Sequence, residues 1–393
     1  MIPSSSDFLR ALRLPIKEFY LKIEFYDSKM NYLNEFTKQI TENDIGSITV
    51  DSSRAVRRSF QFTLLNKHGE FLFGSDKLIW LNKRVRVYTG LKLTNKTIEY
   101  IPQGVFVLTE LKDTDNENGS YTTISGQDKM YLQTDKRGSL KYDTELAVGL
   151  NIGEAIKVLA RNNGETLFNF DTVTETVPYT LTYQAGDSTY KAYEELSLLA
   201  KCDLYYDVNG YLRLRKIDLN SFEHEPSVWK VDSTNPNERF YAGNQRSLED
   251  TIANHIVVLG GSGQTATQKC ELIVTETDPK WKDSPYTVES IGRITYWHNN
   301  GEPDSLLGGE DNGPVLWRAK YELLNRLSYS ERLSLNLAPI YVLEANDIIE
   351  VNVPNNSVNG KYLIQSLNIP LKPEIMTCDC LKYVKVIDDW DFL

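Results

Sequence analysis

The chain has 393 residues, a length that suggests roughly two to three domains. Hydrophobic residues make up 41% of it and aromatic residues 11%, which excludes a disordered chain and allows packed cores. The formal net charge is −11, with +3 over residues 1–140 and −14 over the remainder. This balance argues against a sequence-reading nucleic-acid binder, because such a protein needs a basic face for phosphates. It suits a surface past which a polyanion slides without sticking.

Cysteine content and hydropathy indicate the cellular compartment in which the chain folds. Four cysteines are too few and too scattered for a disulfide scaffold, so a reducing compartment is expected. The N-terminal residues contain no apolar run of signal-peptide length. No stretch approaches the ~20 apolar residues of a membrane span. The sequence therefore indicates a protein that folds in the cytosol.

The first part of the chain reads as β structure. Residues 1–15 are polar, end at a proline and are expected to form an N-terminal arm. Residues 16–144 are predicted to form a first β-module, a small closed or split barrel. Arg54, Arg57 and Arg58 lie at the start of its strand RRSFQFTLLN and are predicted to be a solvated edge. The strands expected from period-two alternation are EFYLKIEFY, GSITV, RRSFQFTLLN, RVRVY, GVFVLTEL and YTTISGQDKM.

The hydrophobic period changes to that of helices after residue 144. Asn151 can cap a helix, with Glu154 at the capping-box position and Gly164 as the end. A second amphipathic helix is predicted after Ser188. Residues 145–235 are therefore expected to form a small α+β insert domain and a linker.

A hairpin and a polar stretch follow these helices. The segment CDLYYDVNGYLRLRKI alternates on both sides of Asn209-Gly210, a pair that favours a type I′ turn. The stretch 223–245 is polar, contains two prolines and is predicted to be a linker or a long crossing.

Residues 236–393 are predicted to form a second β-module. The apolar segment Asn254–Gly260 should pair with the strand KCELIVTE. An insertion is expected at about 277–330, because its part 277–313 is rich in Gly, Asp, Asn and Pro and too long for an ordinary loop. Pro314 can occupy the first turn of a helix that follows.

The last patterned segment, Asn346–Val386, predicts a three-stranded antiparallel meander, and residues 85–132 carry a diverged copy of it. In both copies a glycine is followed at +2 by an aromatic residue, at +4 by an aliphatic residue and at +7 by leucine. These residues are Gly104, Phe106, Leu108 and Leu111 in one copy, and Gly360, Tyr362, Ile364 and Leu367 in the other. The pattern predicts two related β-modules in one chain.

Motifs that carry chemistry are weak. The loop Gly260–Gly263 lacks the GK[ST] ending and the following helix of a phosphate loop, so a flexible hairpin turn is the better interpretation. Cys378 and Cys380 face one side of a strand but lack two further zinc ligands, which favours buried core residues. The segment Glu223–Glu225 is predicted to be surface charge. The pair Asp388-Asp389 is too ordinary to indicate a glycosidase.

Enzyme signatures are also missing from the sequence. It contains no HExxH, no GxSxG and no convincing Cys–His pairing among its four histidines. We therefore predict no catalytic, cofactor-binding or metal-binding residue, no cofactor and no enzymatic activity.

Three phrases of the sequence resemble the phage tail and baseplate hub family, which includes the hubs of contractile tails and related tail-tip proteins. They span most of residues 55–393. The first is SGQDKM and the second is GDSTYKAYEELSLLAKCDLYYDVNGYLRLRKI. The third runs from LAPIYVLEANDIIEV through GKYLIQSLNIPL to MTCDCLKYVKVIDDW. The arm and residues 277–313 have no counterpart in this resemblance.

The resemblance implies a mainly β fold with an α+β insert, in which two tail-tube-like β-barrel modules flank a small α+β domain. It implies a homotrimer whose six modules form a pseudo-sixfold ring. The implied partners are a tail tube or distal-tail ring protein on one side, a spike, fibre or receptor-binding protein on the other, and a tape-measure protein. DNA would pass through the ring, with no sequence-specific nucleic-acid contact, in a virion tail assembled in the host cytoplasm.

Two other functions remain open from the sequence. The 23 tyrosines and 6 tryptophans could serve a receptor- or glycan-binding tail protein. Trp80 and Tyr362, however, lie in alternating strand patterns and are expected in the core. A cell-wall hydrolase is the third alternative.

Overall fold

The computed structural model describes residues 1–66, 68–117, 119–134, 137–235, 240–248, 252–262, 265–281, 284–307 and 313–385. Over these residues the chain is mainly β, as predicted, with helices grouped outside one large sheet. Three smaller sheets, of two, three and three strands, accompany it. The large sheet carries the main hydrophobic core, and two further cores lie under the smaller sheets.

The strands are β1 (Phe19–Tyr26), β2 (Tyr32–Gln39), β3 (Gly46–Asp51), β4 (Arg58–Leu65), β5 (Arg84–Lys92), β6 (Ile98–Asn116), β7 (Gly119–Asp128), β8 (Thr144–Leu146), β9 (Phe168–Phe170), β10 (Leu181–Tyr183), β11 (Cys202–Tyr206), β12 (Leu212–Lys216), β13 (Trp229–Asp232), β14 (Tyr241–Leu248), β15 (His255–Ser262), β16 (Thr265–Ile273), β17 (Thr295–Trp297), β18 (Glu331–Leu337), β19 (Ile348–Val353), β20 (Val358–Pro370) and β21 (Met376–Lys382). The α-helices are α1 (Ser6–Leu12), α2 (Ile152–Asn162), α3 (Thr189–Leu199), α4 (Ser221–His224), α5 (Val288–Ile291) and α6 (Gly313–Leu323).

The large sheet follows the order β14–β18–β21–β20–β3–β4–β7–β6–β5–β1–β2, and β19 pairs with β20 and β13 beside this path. Its strands alternate because side chains of a strand point to opposite faces with period two. In β4, for example, Phe60, Phe62 and Leu64 are buried, whereas Gln61 is exposed.

One strand joins the two predicted modules. The second half of β20, Ser366–Pro370, pairs antiparallel with Ser47–Asp51 of β3. Ile48 and Leu367 belong to the same buried cluster. The sheet and its core therefore run from one module into the other without a break.

The sequence repeat is present as two strand sets with the same order, β5–β6–β7–β4–β3 and β19–β20–β21–β18–β14. Their registers match as well. Gly104 pairs with Val87, and Gly360 pairs with Val351. Both glycines have positive φ, 148° and 125°.

Each long strand of the repeat also carries a bulge at the same place. The register shifts between Leu108 and Glu110 in β6, and between Ile364 and Ser366 in β20. The bulge therefore falls five residues after the glycine in both copies. Since bulges bend a strand and strengthen its twist, the two modules share a local distortion as well as an order of strands.

The insert domain forms as the helical periods predict. Asn151 caps α2, and its side chain accepts a hydrogen bond from the backbone N–H of Glu154. Gly164 follows with φ 83° and ends the helix. The capping box is incomplete, because the Glu154 carboxylate accepts from Lys157. Helix α3 packs on α2 over a core of its own.

The hairpin β11–β12 is present, but its turn is not type I′. That turn needs positive φ at both central residues, and only Gly210 has it, at 79°. The Asp207 side chain accepts from the backbone N–H groups of Asn209 and Tyr211. This aspartate holds the turn in a different geometry, with glycine in the single left-handed position.

The segment predicted as an N-terminal arm contains α1. Ser5 caps it, and its side chain accepts from the backbone N–H of Phe8. Phe8 and Leu12 are fully buried in the main core. The expectation of an arm was wrong for this helix, because its two large apolar residues share one face.

The polar stretch 223–245 contains β13, which pairs with β19, and the first part of β14, which pairs with β18. Of the two interpretations, a linker or a long crossing, the linker was wrong. The sequence did not show these strands, because β14 is a sheet-edge strand without apolar alternation and β13 has only four residues.

The strands β15 and β16 pair as predicted, but they lie outside the large sheet. They form a three-stranded sheet with β17 from the predicted insertion. Helix α6, with Pro314 in its first turn, packs on this sheet over a third core. The segment 277–330 therefore completes a separate unit around β15 and β16.

Candidate functional site

The strongest candidate for a functional surface is the outer face of the large sheet over β14, β18, β21, β20, β3, β4, β7 and the second half of β6. The opposite face of β18, β21, β20, β3, β4 and β7 contributes buried residues to the main core, whereas β14 and the part of β6 beyond its bulge contribute the partly buried Tyr241 and Leu111. On the outer face, cross-strand registers align small polar side chains in rows.

One row crosses five strands and contains Gln245, Ser334, Asp379, Ser366 and Asp51. A second row runs through Asn336, Thr377, Asn368, Thr49, Ser59 and Gln127. A third contains Ser47, Gln61, Ser125 and Glu110. We call these rows the polar face.

The chemistry of the polar face is that of hydroxyl and amide groups. Ser366 donates to the Asp379 carboxylate at 2.9 Å, and the hydroxyls of Thr63 and Thr123 lie 3.0 Å apart. The charged positions on this face of the eight strands are Asp51, Glu110, Lys112, Arg332, Lys361 and Asp379. Lys361 donates to the backbone carbonyl oxygen of Phe222. A surface with so few cations offers no array of phosphate-binding groups.

Arg58 holds the two modules together. Its guanidinium pairs with Glu344 and donates to the carbonyl oxygen of Gln103 at 3.0 Å. Its backbone N–H donates to Asp128 at 2.8 Å. Burial raises the pKa of the Asp128 carboxyl to about 6, although the N–H groups of Arg58 and Met130 oppose this.

Arg57 links the first module to the insert. It donates to Asp203 at 2.5 Å, and its guanidinium lies 4.3 Å from the ring centre of Tyr205. Burial lowers the pKa of Arg57, but Asp203 outweighs it and the net shift is upward. The prediction of a solvated edge was therefore wrong for Arg57 and Arg58, and only Arg54 is well exposed. The sequence could not reveal this, since their partners lie 146 and 286 residues away.

A second buried pair fixes the insert. Lys129 forms an ion pair with Glu165 at 2.6 Å and donates to the carbonyl oxygen of Gly210 at 3.0 Å. The Tyr206 hydroxyl donates to the same carboxylate at 2.8 Å. Burial lowers the pKa of Lys129, and Glu165 opposes this shift. These contacts are structural, because the group is enclosed between the module and the insert.

A cavity of about 460 Å³ lies where the modules, the insert and the third unit meet. Arg57, Asp203 and Tyr190 are among the residues that line it. Arg57 and Asp203 form an ion pair there.

The residues singled out in the sequence lie apart from one another. Cys378 and Cys380 are buried, as predicted, with their Sγ atoms 3.5 Å apart. His224 is exposed between two glutamates, also as predicted. Gly260 and Gly261 lie inside β15 and not in a turn, while Gly263 and Asp388-Asp389 lie outside the described residues.

Among the residues that the structure describes, no three His, Cys, Asp or Glu side chains gather as a metal-binding group would. None of the helices described is both long and apolar enough to span a membrane.

Comparison with solved structures places this architecture. The chain is similar to a tail protein from Neisseria meningitidis MC58, with a TM-score of 0.62 and 11% identity over 93% of this chain and 98% of that one. A 43 kDa tail protein of prophage MuSo2 from Shewanella oneidensis gives a TM-score of 0.58 at 11% identity, over 93% and 98% of the two chains. The chain has the fold of phage tail proteins.

The likeness extends to a related assembly. A chain of the Francisella PdpA–VgrG complex, half-lidded, matches 96% of this chain over 59% of its own length, with a TM-score of 0.54 and 12% identity. No family model and no curated protein matches the sequence. The resemblance stated from sequence phrases is thus confirmed at the level of the fold.

Proposed function

We propose that this protein is a structural hub or tail-tip adaptor of a phage tail, without a catalytic step. Three copies would form a ring with six similar modules, matching a sixfold tube on one side and a threefold spike on the other. The observation that carries the proposal is the repeat, since two strand sets share order, register and bulge position. Two equivalent modules per chain are what a pseudo-sixfold ring of three chains requires.

The polar face supports a role in DNA passage. A duplex moving through a ring must not be retained by lysine and arginine contacts to its phosphates. Hydroxyl and amide side chains keep such a wall wetted while adding little charge. We therefore assign the polar face to the inner wall of the ring.

The proposed neighbours follow from the two faces of such a ring. They are a tail tube or distal-tail ring protein, a spike, fibre or receptor-binding protein, and a tape-measure protein. Assembly would take place in the host cytoplasm before the protein becomes part of the virion tail.

A reconstruction of the particle tip tests the proposal. We expect three copies in one ring coaxial with the tube, with the polar face toward the axis. Six or more copies, or a position off the axis, would contradict the hub. The same map tests the DNA path, because an inner wall formed by any other face would leave the hub intact and remove this assignment.

A receptor- or glycan-binding role is the second candidate. Trp80 was expected in the core but is 36% exposed, and Trp297 and Tyr142 are also exposed. Exposed aromatic rings can stack on sugars. Binding of the purified protein to host cell walls, lost when Trp297 is replaced by alanine, would favour this role. Equal binding by both proteins would count against Trp297 as the contact.

A further inference from the structure

Two strand edges on the polar face have no strand beside them in the described residues. One is the outer edge of β14, where the path of the large sheet ends. The other is the second half of β6, because β5 pairs with β6 only as far as Val107, while β7 pairs with it as far as Asn116. Open strand edges are ready templates for another strand.

The repeat shows what these edges correspond to. By strand order, β14 is the equivalent of β3, and β6 is the equivalent of β20. Inside the chain, β3 pairs antiparallel with the part of β20 beyond its bulge. The equivalent contact would pair β14 with the part of β6 beyond its bulge. These two strands do not pair within a single chain.

We infer that β14 of one copy pairs with β6 of the next copy, in the register of the β3–β20 contact. The occupant of each open edge is thus a second copy of this chain. This inference rests on the proposed ring and names its subunit interface. The contact is head-to-tail, so its repetition closes a ring when the rotation allows.

The register follows residue by residue. Gln61 of β4 and Ser334 of β18 occupy equivalent places in the two modules. Ser47 pairs with Gln61 and Gln245 pairs with Ser334, so Gln245 is the equivalent of Ser47. Ser47 also pairs with Pro370, whose counterpart ten residues after the repeat glycine is Thr114. Gln245 should therefore lie opposite Thr114 of the next copy, and Ser247 opposite Lys112.

The side chains match in this register. It places Arg246 opposite Asp113, which adds a charge pair across the new strand contact. It also places Leu248, which is 63% exposed, opposite the partly buried Leu111. Leu248 thereby gains an apolar neighbour, and Arg246, which already pairs with Glu331 within the chain at 2.8 Å, gains a second carboxylate.

Cysteine cross-linking in assembled particles tests the register. Residues opposite each other in a strand pair have Cβ atoms about 4.5–5.5 Å apart, close to disulfide reach. Particles carrying Gln245→Cys with Thr114→Cys, or Ser247→Cys with Lys112→Cys, should give covalent dimers and trimers after oxidation. Both variants carry Cys270→Ser, since Cys202, Cys378 and Cys380 are buried.

Matched controls separate the possible failures. Gln245→Cys with Glu110→Cys places the thiols four residues out of register and should not link. Gln245→Cys with Asn34→Cys tests the other open edge, β2. A ring of three copies in which neither in-register pair links, or in which the β2 pair links instead, overturns this inference and leaves the hub standing. Particles without such a ring overturn the proposed function itself.

Discussion

Arg58 should contribute far more to stability than Arg54, although only four positions separate them in the sequence. The Arg58 side chain is 3% exposed and pairs with Glu344, which is 22% exposed. Replacing Arg58 with alanine leaves that carboxylate and the Gln103 carbonyl oxygen without this partner. The side chain of Arg54 is 73% exposed and pairs with Asp51.

The size of the effect follows from burial. Removing one member of a buried ion pair costs about 3–5 kcal/mol. Since water still reaches part of Glu344, we expect Arg58→Ala to lower the free energy of unfolding by about 3 kcal/mol, the lower end of that range. Arg54→Ala should change it by less than about 0.5 kcal/mol, because exposed pairs contribute little.

Urea unfolding followed by far-ultraviolet circular dichroism measures both variants against the wild type. The double variant Arg58→Met with Glu344→Leu should recover much of the loss, because replacing both charges removes the unpaired one. If Arg58→Ala and Arg54→Ala unfold at the same urea concentration, the ion pair does not hold the modules together. If the double variant is no better than Arg58→Ala, the loss comes from packing and not from charge.

Three further predictions concern the repeat, the insert and the buried acid. Gly104→Ala should lower the free energy of unfolding by about 3 kcal/mol, because the new Cβ would lie 2.8 Å from the Phe106 ring. Gly360→Ala should lower it by about 1 kcal/mol, because a Cβ there meets no heavy atom within 4 Å. Urea unfolding measures both, and equal losses would refute the clash at Gly104. Asn151→Ala should cost about 1 kcal/mol by removing the cap of α2, and an unchanged urea midpoint would show that the cap is not needed. The folded pKa of Asp128, about 6, exceeds its ordinary value of 3.8, so its ionisation opposes folding as pH rises. The unfolding free energy of the wild type should therefore fall by about 2 kcal/mol relative to Asp128→Asn between pH 4 and pH 7, and a constant difference would contradict the raised pKa.

The local hydrophobic pattern was enough to predict the strands and helices whose burial follows from their own sequence. The period-two segments around Phe106 and Tyr362 form strands, and both rings are fully buried. The helix capped by Asn151 begins where predicted. These features depend on neighbours within a few residues, which a sequence displays directly.

Elements whose structure depends on partners far away in the chain were missed, because the sequence does not display such contacts. β14 reads as a polar linker, because an edge strand needs no apolar alternation and its pairing with β18 is nonlocal. Arg58 reads as a surface residue, because Glu344 lies 286 positions away. The polar face was present as alternating Ser, Thr and Gln, but only the registers show that these residues form continuous rows.

The two copies of the repeat are more alike in the position of their bulges than in the identity of their side chains. Gly126 in one copy corresponds to Cys380 in the other, yet both pair with the residue just before the bulge. A bulge fixes the bend and twist of a long strand. If each module is one sixth of a ring, equal bends are required for the six to close, whereas the residues on each wall are free to diverge. Conservation of the bulge in two otherwise different modules is therefore what selection for a pseudo-sixfold ring would preserve.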